Sequence, residues 1–402
     1  MEKKRIAVIF EGNDEDRKGM FNAAVQRTVH LKKLLGYAPD VFMIQTYEPL
    51  PVRALDHTPK RMRKPSFEVS GLTVTNIWQR FSVLDYCLDR FLHLRKIRQA
   101  RFLKSRAERF AGYDFICAHS FRSGLLAMAA HERFGTPFSV TWHGSDIHRF
   151  PFANRFCFKD TGEIMQAASR NFFVSRNLLE LSEKIAATPN KTVLYNGVDK
   201  SVFHPYDVVR RREAQEKYSV DPSAENVAYV GNFFSIKNVL CLPEVFSRMR
   251  KLCSSRIDFY FVGCGKMEAR LREECRKWGI DARFHLNVAP DDMPDVYNCM
   301  DLIVLPSRNE GLPLVAVEAE ACGTMFAGSR VGGIPEVAGE ENTIPLGPDF
   351  AADFAELCVC RLKLRDIVPL PEQFDWDATA RKELGIISDV LSEGQVAGRQ
   401  LS

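Results

Sequence analysis

A chain of 402 residues, 46% of them hydrophobic, has enough apolar surface for two or three domain cores. Its 55 Lys and Arg against 51 Asp and Glu leave a net charge of +4, too mild a balance to point to nucleic acid. No apolar run approaches the roughly 18 residues that a membrane span needs. The eleven cysteines, with Cys358 and Cys360 the closest pair, lack metal spacing and read as free thiols of a reducing cytosol. Met1–Arg5 is charged and runs directly into a strand, which argues against a signal peptide.

Taken in chain order, Arg5–Phe10 reads as a buried strand. A polar loop, Glu11–Gly19, leads to a helix over Asn22–Leu35, and Val41–Ile44 is the next strand. Residues 48–80 are polar and ambiguous. Phe91–Phe110 is predicted as one amphipathic helix. Short strands follow at Phe115–Ala118, Phe138–Thr141, Asn171–Val174 and Thr192–Leu194, mostly separated by helical patterns. This rhythm predicts a parallel sheet with helices on both faces. The pattern breaks at His204-Pro205 and then restarts, with strands at Val227–Val230, Asp258–Val262, Arg283–Leu286, Leu302–Leu305 and Thr324–Ala327. Phe374-Asp375-Trp376 introduces a last helix through about Leu391. The expected division is 1–205, 206–372 and a C-terminal helix in 373–402 that returns towards the first domain. Two successive doubly wound domains of this kind place a ligand cleft at the carboxyl ends of their strands.

The segment Leu302–Gly323 carries the most chemistry. It holds Glu310 and Glu318, eight positions apart. A strand ends at Pro306, a polar loop follows, and a helix begins near Pro313 and stops before Gly323. That helix is apolar nearly all round, so Glu318 is costly there unless something hydrogen-bonds it. Ligand hydroxyls would do so. Glu320 fits the solvent side better. A strand, a Gly turn and a helix start also suit a phosphate.

With Glu310-x7-Glu318 followed by Gly332-Gly333-Ile334-Pro335-Glu336, the second half resembles the C-terminal domain of retaining GT-B glycosyltransferases, specifically glycosyltransferase family 4. Asn196-Gly197-Val198-Asp199 with Phe203 and Pro205 is similar to that family's end of the first domain. Tyr229-Val230-Gly231 with Lys237, Phe261-Val262-Gly263-Cys264-Gly265 and His143-Gly144-Ser145-Asp146 resemble further family signatures. The resemblance runs from about residue 110 onward. It implies two Rossmann-like α/β domains facing a central cleft. It also implies a nucleotide-sugar donor, a glycan or lipid-linked glycan acceptor, retention of anomeric configuration, and no cofactor or metal. No Asp-x-Asp suits a metal diphosphate, and Asp14-Glu15-Asp16 lies in a loop of the first domain.

By that resemblance Lys237, in a turn after strand Val227–Val230, meets the leaving diphosphate, where a preorganised donor is worth most. Relatives place an Arg a few residues earlier; here the position is Asn232, which donates without full charge. Glu318 binds ribose hydroxyls, and Glu310 binds hydroxyls of the transferred sugar. Gly231 and the amides of Gly311 and Leu312 lie at the donor. A front-face reaction, in which the leaving phosphate deprotonates the incoming hydroxyl, removes the need for Glu310 as nucleophile. His143 reaches a sugar hydroxyl, and Asp146 reads as an Asx turn or helix cap. Gly12 and Gly19 are either acceptor or diphosphate contacts or plain turn glycines, and Gly332-Gly333 is equally open. His119 and His148 show no partner in the sequence and read as structural.

The stretch Phe91–Phe110 carries Arg95, Lys96, Arg98, Arg101, Lys104, Arg106 and Arg109 opposite an apolar face. It is either an ordinary sheet-covering helix or a surface that docks on an anionic membrane, with Lys60, Arg61, Arg63 and Lys64 extending it. The expected place is the cytoplasm, peripheral at a membrane. Two other functions stay open: a non-catalytic sugar-nucleotide-binding subunit, and a sugar-nucleotide epimerase.

Overall fold

A computed structural model describes residues 4–12, 19–47, 63–85, 102–365 and 369–400. The chain divides into two units, Met1–Asn196 with Trp376–Ser402, and Gly197–Asp375. The sequence placed the division at 205. The stretch before Tyr206 belongs instead to the second unit, because the Asn298 side chain binds it. The Asn298 amide donates to the His204 carbonyl (3.1 Å) and its oxygen accepts from the Tyr206 N–H (2.7 Å). Val198 also pairs with Asp375.

The first unit holds an eight-stranded sheet in the order β3-β4-β2-β1-β5-β6-β7-β8. The strands are β1 (Ile6–Glu11), β2 (Asp40–Tyr47), β3 (Ser66–Val69), β4 (Leu72–Arg80), β5 (Phe115–His119), β6 (Phe138–Trp142), β7 (Arg170–Phe173) and β8 (Lys191–Val193). Among the described residues only the β3–β4 pair is antiparallel. β1, β5 and β6 are buried along nearly their whole length, as central parallel strands covered on both faces must be. Part of the segment that looked ambiguous is the β3–β4 hairpin. Its two-residue turn puts Ser70 and Gly71 at φ 47° and 70°, the mirror-image turn whose twist suits a hairpin.

Helix Met20–Leu35 lays Phe21, Ala24 and Val25 on this sheet, and the C-terminal helix Trp376–Gln400 adds Ile387 and Val390 to the same core. Three polar contacts join these helices among the described residues, the exposed one being Lys33 Nζ donating to Asp377 at 3.0 Å. Arg27 Nε donates to Glu383 (2.6 Å), with both side chains 2% exposed, and His30 Nδ1 lies 2.6 Å from Asp377.

The continuous helix expected over Phe91–Phe110 does not reach its end. Residues 91–101 lie outside the described residues. Phe102–Lys104 is helical, Ser105-Arg106 turns, and Ala107–Phe110 is a separate 3-10 turn. Ser105 Oγ donates to the Phe102 carbonyl (2.7 Å), a local bond that competes with the helical ladder. Leu103, Ala107 and Phe110 are buried.

The second unit holds a six-stranded, all-parallel sheet in the order β11-β10-β9-β12-β13-β14. Its strands are β9 (Glu225–Val230), β10 (Ile257–Val262), β11 (Ala282–His285), β12 (Leu302–Leu305), β13 (Met325–Ser329) and β14 (Thr343–Ile344). The chain winds outward from β9 in one direction and from β12 in the other. The switch point, where such sheets open a crevice at their carboxyl ends, therefore lies between β9 and β12. In the first unit the corresponding pair is β1 and β5.

Candidate active site

In the second unit the loops after β9 and β12 meet over that switch point. The β9 loop passes Gly231 and Asn232 and ends in the 3-10 turn Ser235–Lys237. It packs backbone to backbone on the loop after β10: Phe233 N–H donates to the Cys264 carbonyl (2.9 Å), and a side chain at Gly263 would overlap the Gly231 carbonyl. The β12 loop crosses back to it, and Arg308 N–H donates to the Ile236 carbonyl (2.8 Å).

These contacts bring Lys237 and Glu310 together. Lys237 Nζ donates to Glu310 Oε1 at 2.6 Å, and Ser307 Oγ donates to the same oxygen at 2.6 Å. The side chains are 25% and 9% exposed, so the pair is partly sheltered from solvent screening yet open to a ligand. Gly332 fixes Glu310 from behind: its φ is 54°, and a Cβ there would overlap the Glu310 carbonyl oxygen. The Gly332-Gly333 close approach is thus to protein backbone, and Gly333 N–H donates to the Gly311 carbonyl (3.0 Å). Among the described residues no acceptor meets the amide of Gly311 or of Leu312.

Glu318 sits on helix Leu314–Ala321, half-buried, with Tyr297 OH donating to Oε2 at 2.6 Å. Burial pushes its carboxyl up to about 7, against the lowering effect of that bond. Its Oε1 has no bonded partner among the described residues. Glu320 corrects an expectation. It is half-buried rather than solvated, and burial pushes it up to about 8 although Arg361 opposes the shift. Asn232 is half-buried, and its backbone carbonyl accepts from Tyr229 OH (2.8 Å). Arg308 is exposed. Its guanidinium rests on Asn238 Oδ1 (3.0 and 3.2 Å) and forms no ion pair among the described residues.

In the first unit His143 follows β6 and His119 ends β5. The sequence shows no partner for His119, and the fold supplies one: His119 Nδ1 lies 3.0 Å from His143 Nε2. Burial, with the Arg27 charge adding to it, pushes His143 down to about 3 and His119 well below its ordinary value. Asp146 is not a helix cap. Its carboxylate accepts from the N–H groups of His143 (3.0 Å) and Gly144 (2.7 Å), which precede it, and so anchors the loop behind the imidazole. Burial raises Asp146 to about 6 in spite of those bonds, with Glu11 adding to the rise. Ser120, directly after β5, has φ 72° and donates to Glu11 at the end of β1. Gly12 follows β1, where a Cβ would press on Met43 and Phe21 (3.2 Å each). Gly19, at φ 55°, opens helix Met20–Leu35. Residues 13–18 between them lie outside the described residues.

Sequence reasoning missed Ser307, Tyr297, Arg308 and His119. Ser307 stands three residues before Glu310 and was within reach of a closer reading. Tyr297 and His119 meet their partners only through tertiary structure. Among the described residues no group of three His, Cys, Asp or Glu side chains gathers in a metal-ligating arrangement.

Comparison with known proteins decides what the arrangement belongs to. Residues 35–202 match the family described as Glycosyltransferase Family 4, and residues 224–363 match Glycosyl transferases group 1. The chain is a family 4 glycosyltransferase. Among its relatives is D-inositol 3-phosphate glycosyltransferase 2 of Catenulispora acidiphila, 29% identical over 70% of this chain and 72% of the relative. Another is the putative teichuronic acid biosynthesis glycosyltransferase TuaC of Bacillus subtilis, 25% identical over 87% of this chain and 86% of TuaC. The glycosyltransferase shares the GT-B fold with Anabaena Alr3699/HepE, solved with UDP and glucose (TM-score 0.64, 15% identity, 98% and 99% of the two chains). It shares it also with sucrose-phosphate synthase of Thermosynechococcus elongatus (TM-score 0.68, 16% identity, 99% of each chain).

Proposed function

We propose that this glycosyltransferase moves a sugar from a nucleotide diphosphate donor to a glycan or lipid-linked glycan, with retention of configuration and without a metal. The observation that carries the reading is the 2.6 Å Lys237–Glu310 pair, sheltered over the switch point of the second unit. Binding the donor exchanges partners within that pair. The diphosphate, with more than one negative charge, draws off the Lys237 ammonium, and hydroxyls of the sugar take its place on the Glu310 carboxylate. Both charges stay compensated throughout, which a sheltered site requires. Glu318, already held by Tyr297, offers its second oxygen to ribose hydroxyls. The open amides of Gly311 and Leu312 and the backbone at Gly231 border the sugar and phosphate, and Asn232 adds a neutral donor. Arg308 adds an exposed cation on the loop after β12. By the family resemblance His143 reaches a sugar hydroxyl.

As the anomeric carbon–oxygen bond to phosphate lengthens, negative charge grows on the leaving diphosphate, and Lys237 with the two amides stabilises it. The leaving phosphate oxygen takes the proton of the acceptor hydroxyl. That hydroxyl oxygen then bonds to the same face of the anomeric carbon, so configuration is kept and the nucleotide diphosphate departs. Lys237→Ala is expected to lower turnover on the order of 10²–10³-fold. Near-normal turnover in steady-state assays would remove the phosphate assignment. Incubation with donor alone, followed by NMR of the sugar, separates the other functions. Slow hydrolysis fits a transferase, a changed sugar marks an epimerase, and an untouched donor marks a binder.

The proposed location is the cytoplasm, peripheral at an anionic membrane. The basic stretch that motivates this falls largely outside the described residues. Within them Arg63 lies over the Tyr47 ring (4.3 Å) and Lys64 is exposed, and no helix is long and apolar enough to cross a membrane. Sedimentation with anionic vesicles is expected at low salt and lost at high salt; no sedimentation at low salt sinks the idea.

A further inference from the structure

We propose that His119 is the positioning residue for His143, holding its imidazole in the tautomer that carries the proton on Nδ1, so that His143 meets a ligand oxygen as an N–H donor. This rests on the reading of His143 as a contact to a sugar hydroxyl, but its decisive measurement does not.

The two rings come together because β5 and β6 are neighbours in parallel register, with His119 opposite Thr141. His143 stands two residues further along, so both side chains rise at the same edge of the sheet. Their facing nitrogens are 3.0 Å apart, the ring centroids 5.3 Å apart and the planes within 23°. Near-coplanar rings meeting edge to edge form one N–H···N bond, in which one ring donates and the other accepts. Both imidazoles are held neutral by burial and by the nearby Arg27 charge. The facing edge of His143 therefore has a single partner, and no other described side chain bonds its ring. Whatever His119 does on that edge fixes the state of the opposite nitrogen.

Two features choose the direction. His119 is 2% exposed. If it accepted on Nδ1, its proton would sit on Nε2, in a residue this poorly exposed and with no acceptor among the described residues. A buried orphan donor is the rarer and costlier defect. If His119 donates from Nδ1, its Nε2 is a bare lone pair, in keeping with the neutral ring that the Arg27 charge favours. His143 Nε2 then accepts, and its own proton lies on Nδ1. That is the less common form of free imidazole, so it needs an external cause, which His119 supplies. The backbone of His143 is fixed independently by Asp146, leaving ring orientation and tautomer as the freedoms His119 removes.

The test is NMR of the full-length protein labelled with 15N-histidine, with His119→Asn and His119→Phe as variants. In the wild type His143 is expected to show a bare Nε2 and a protonated Nδ1. His119→Asn keeps an N–H donor near the place of Nδ1 and is expected to keep that pattern and most of the turnover. His119→Phe is expected to let His143 revert to Nε2 protonation and to lower kcat between about 10- and 100-fold, with a smaller change in KM. A wild-type spectrum with His143 protonated on Nε2 overturns the proposal even if the Phe variant fails to fold. So does a folded His119→Phe with unchanged tautomer and turnover. Full transferase activity in His143→Ala would instead defeat the sugar-contact reading, whatever the spectrum shows.

Discussion

Glu318 gives the molecule a pH dependence with a definite sign. Its carboxyl is raised from 4.5 to about 7 by burial, so the folded chain holds a proton that the unfolded chain releases. The stability this contributes is complete below 4.5 and is lost as pH rises through about 7. Asp146 and Glu320, raised to about 6 and about 8, act in the same direction. Glu318→Gln is expected to flatten the fall in Tm between pH 5 and 7.5 and to leave the variant more stable than wild type at pH 8. An unchanged Tm profile would show that the carboxyl titrates normally. A ligand that prefers the ionised carboxylate must then displace that proton, which is a reason for a site to keep an acid so poorly solvated.

At the scale of elements, the first unit depends on one buried ion pair between its first helix and its last. Arg27 and Glu383 are each 2% exposed, and Arg27 has two further nitrogens without partners among the described residues. Removing one member leaves the other charge buried, so Glu383→Ala is expected to cost about 3–5 kcal/mol in chemical unfolding. Replacing both with apolar residues of similar volume should recover most of that. A loss under about 1 kcal/mol would mean that water reaches the guanidinium. Other elements show what sequence can and cannot reveal. The strands around β1, β5, β9 and β12 were legible because fully buried parallel strands leave continuous apolar runs. The β3–β4 hairpin was overlooked although Ser70-Gly71 is a turn signal between alternating residues, because the polar stretch before it masked the pattern. The helix drawn to Phe110 failed because a three- and four-residue apolar spacing continues through a 3-10 turn as readily as through an α-helix.

For the whole molecule, the two-unit GT-B architecture followed from local pattern and family resemblance, and the same reading singled out Lys237, Glu310, Glu318 and His143 as candidates. It did not reveal their supporting partners. Ser307, Tyr297 and His119 act through hydrogen bonds closed by the fold, and such contacts have no local signature. The boundary was also set by tertiary bonds, through Asn298, rather than by the His204-Pro205 break. Central to the proposal is that the second unit grips a nucleotide diphosphate with Lys237 on the phosphates and Glu318 on the ribose. Calorimetric titration of the wild type, Lys237→Ala and Glu318→Ala with UDP, GDP and ADP, each compared with its nucleoside, tests it most directly. One base should bind to the wild type. Lys237→Ala should retain the nucleoside but lose the affinity gained from the diphosphate, and Glu318→Ala should weaken both. Diphosphate affinity unchanged in both variants would contradict it.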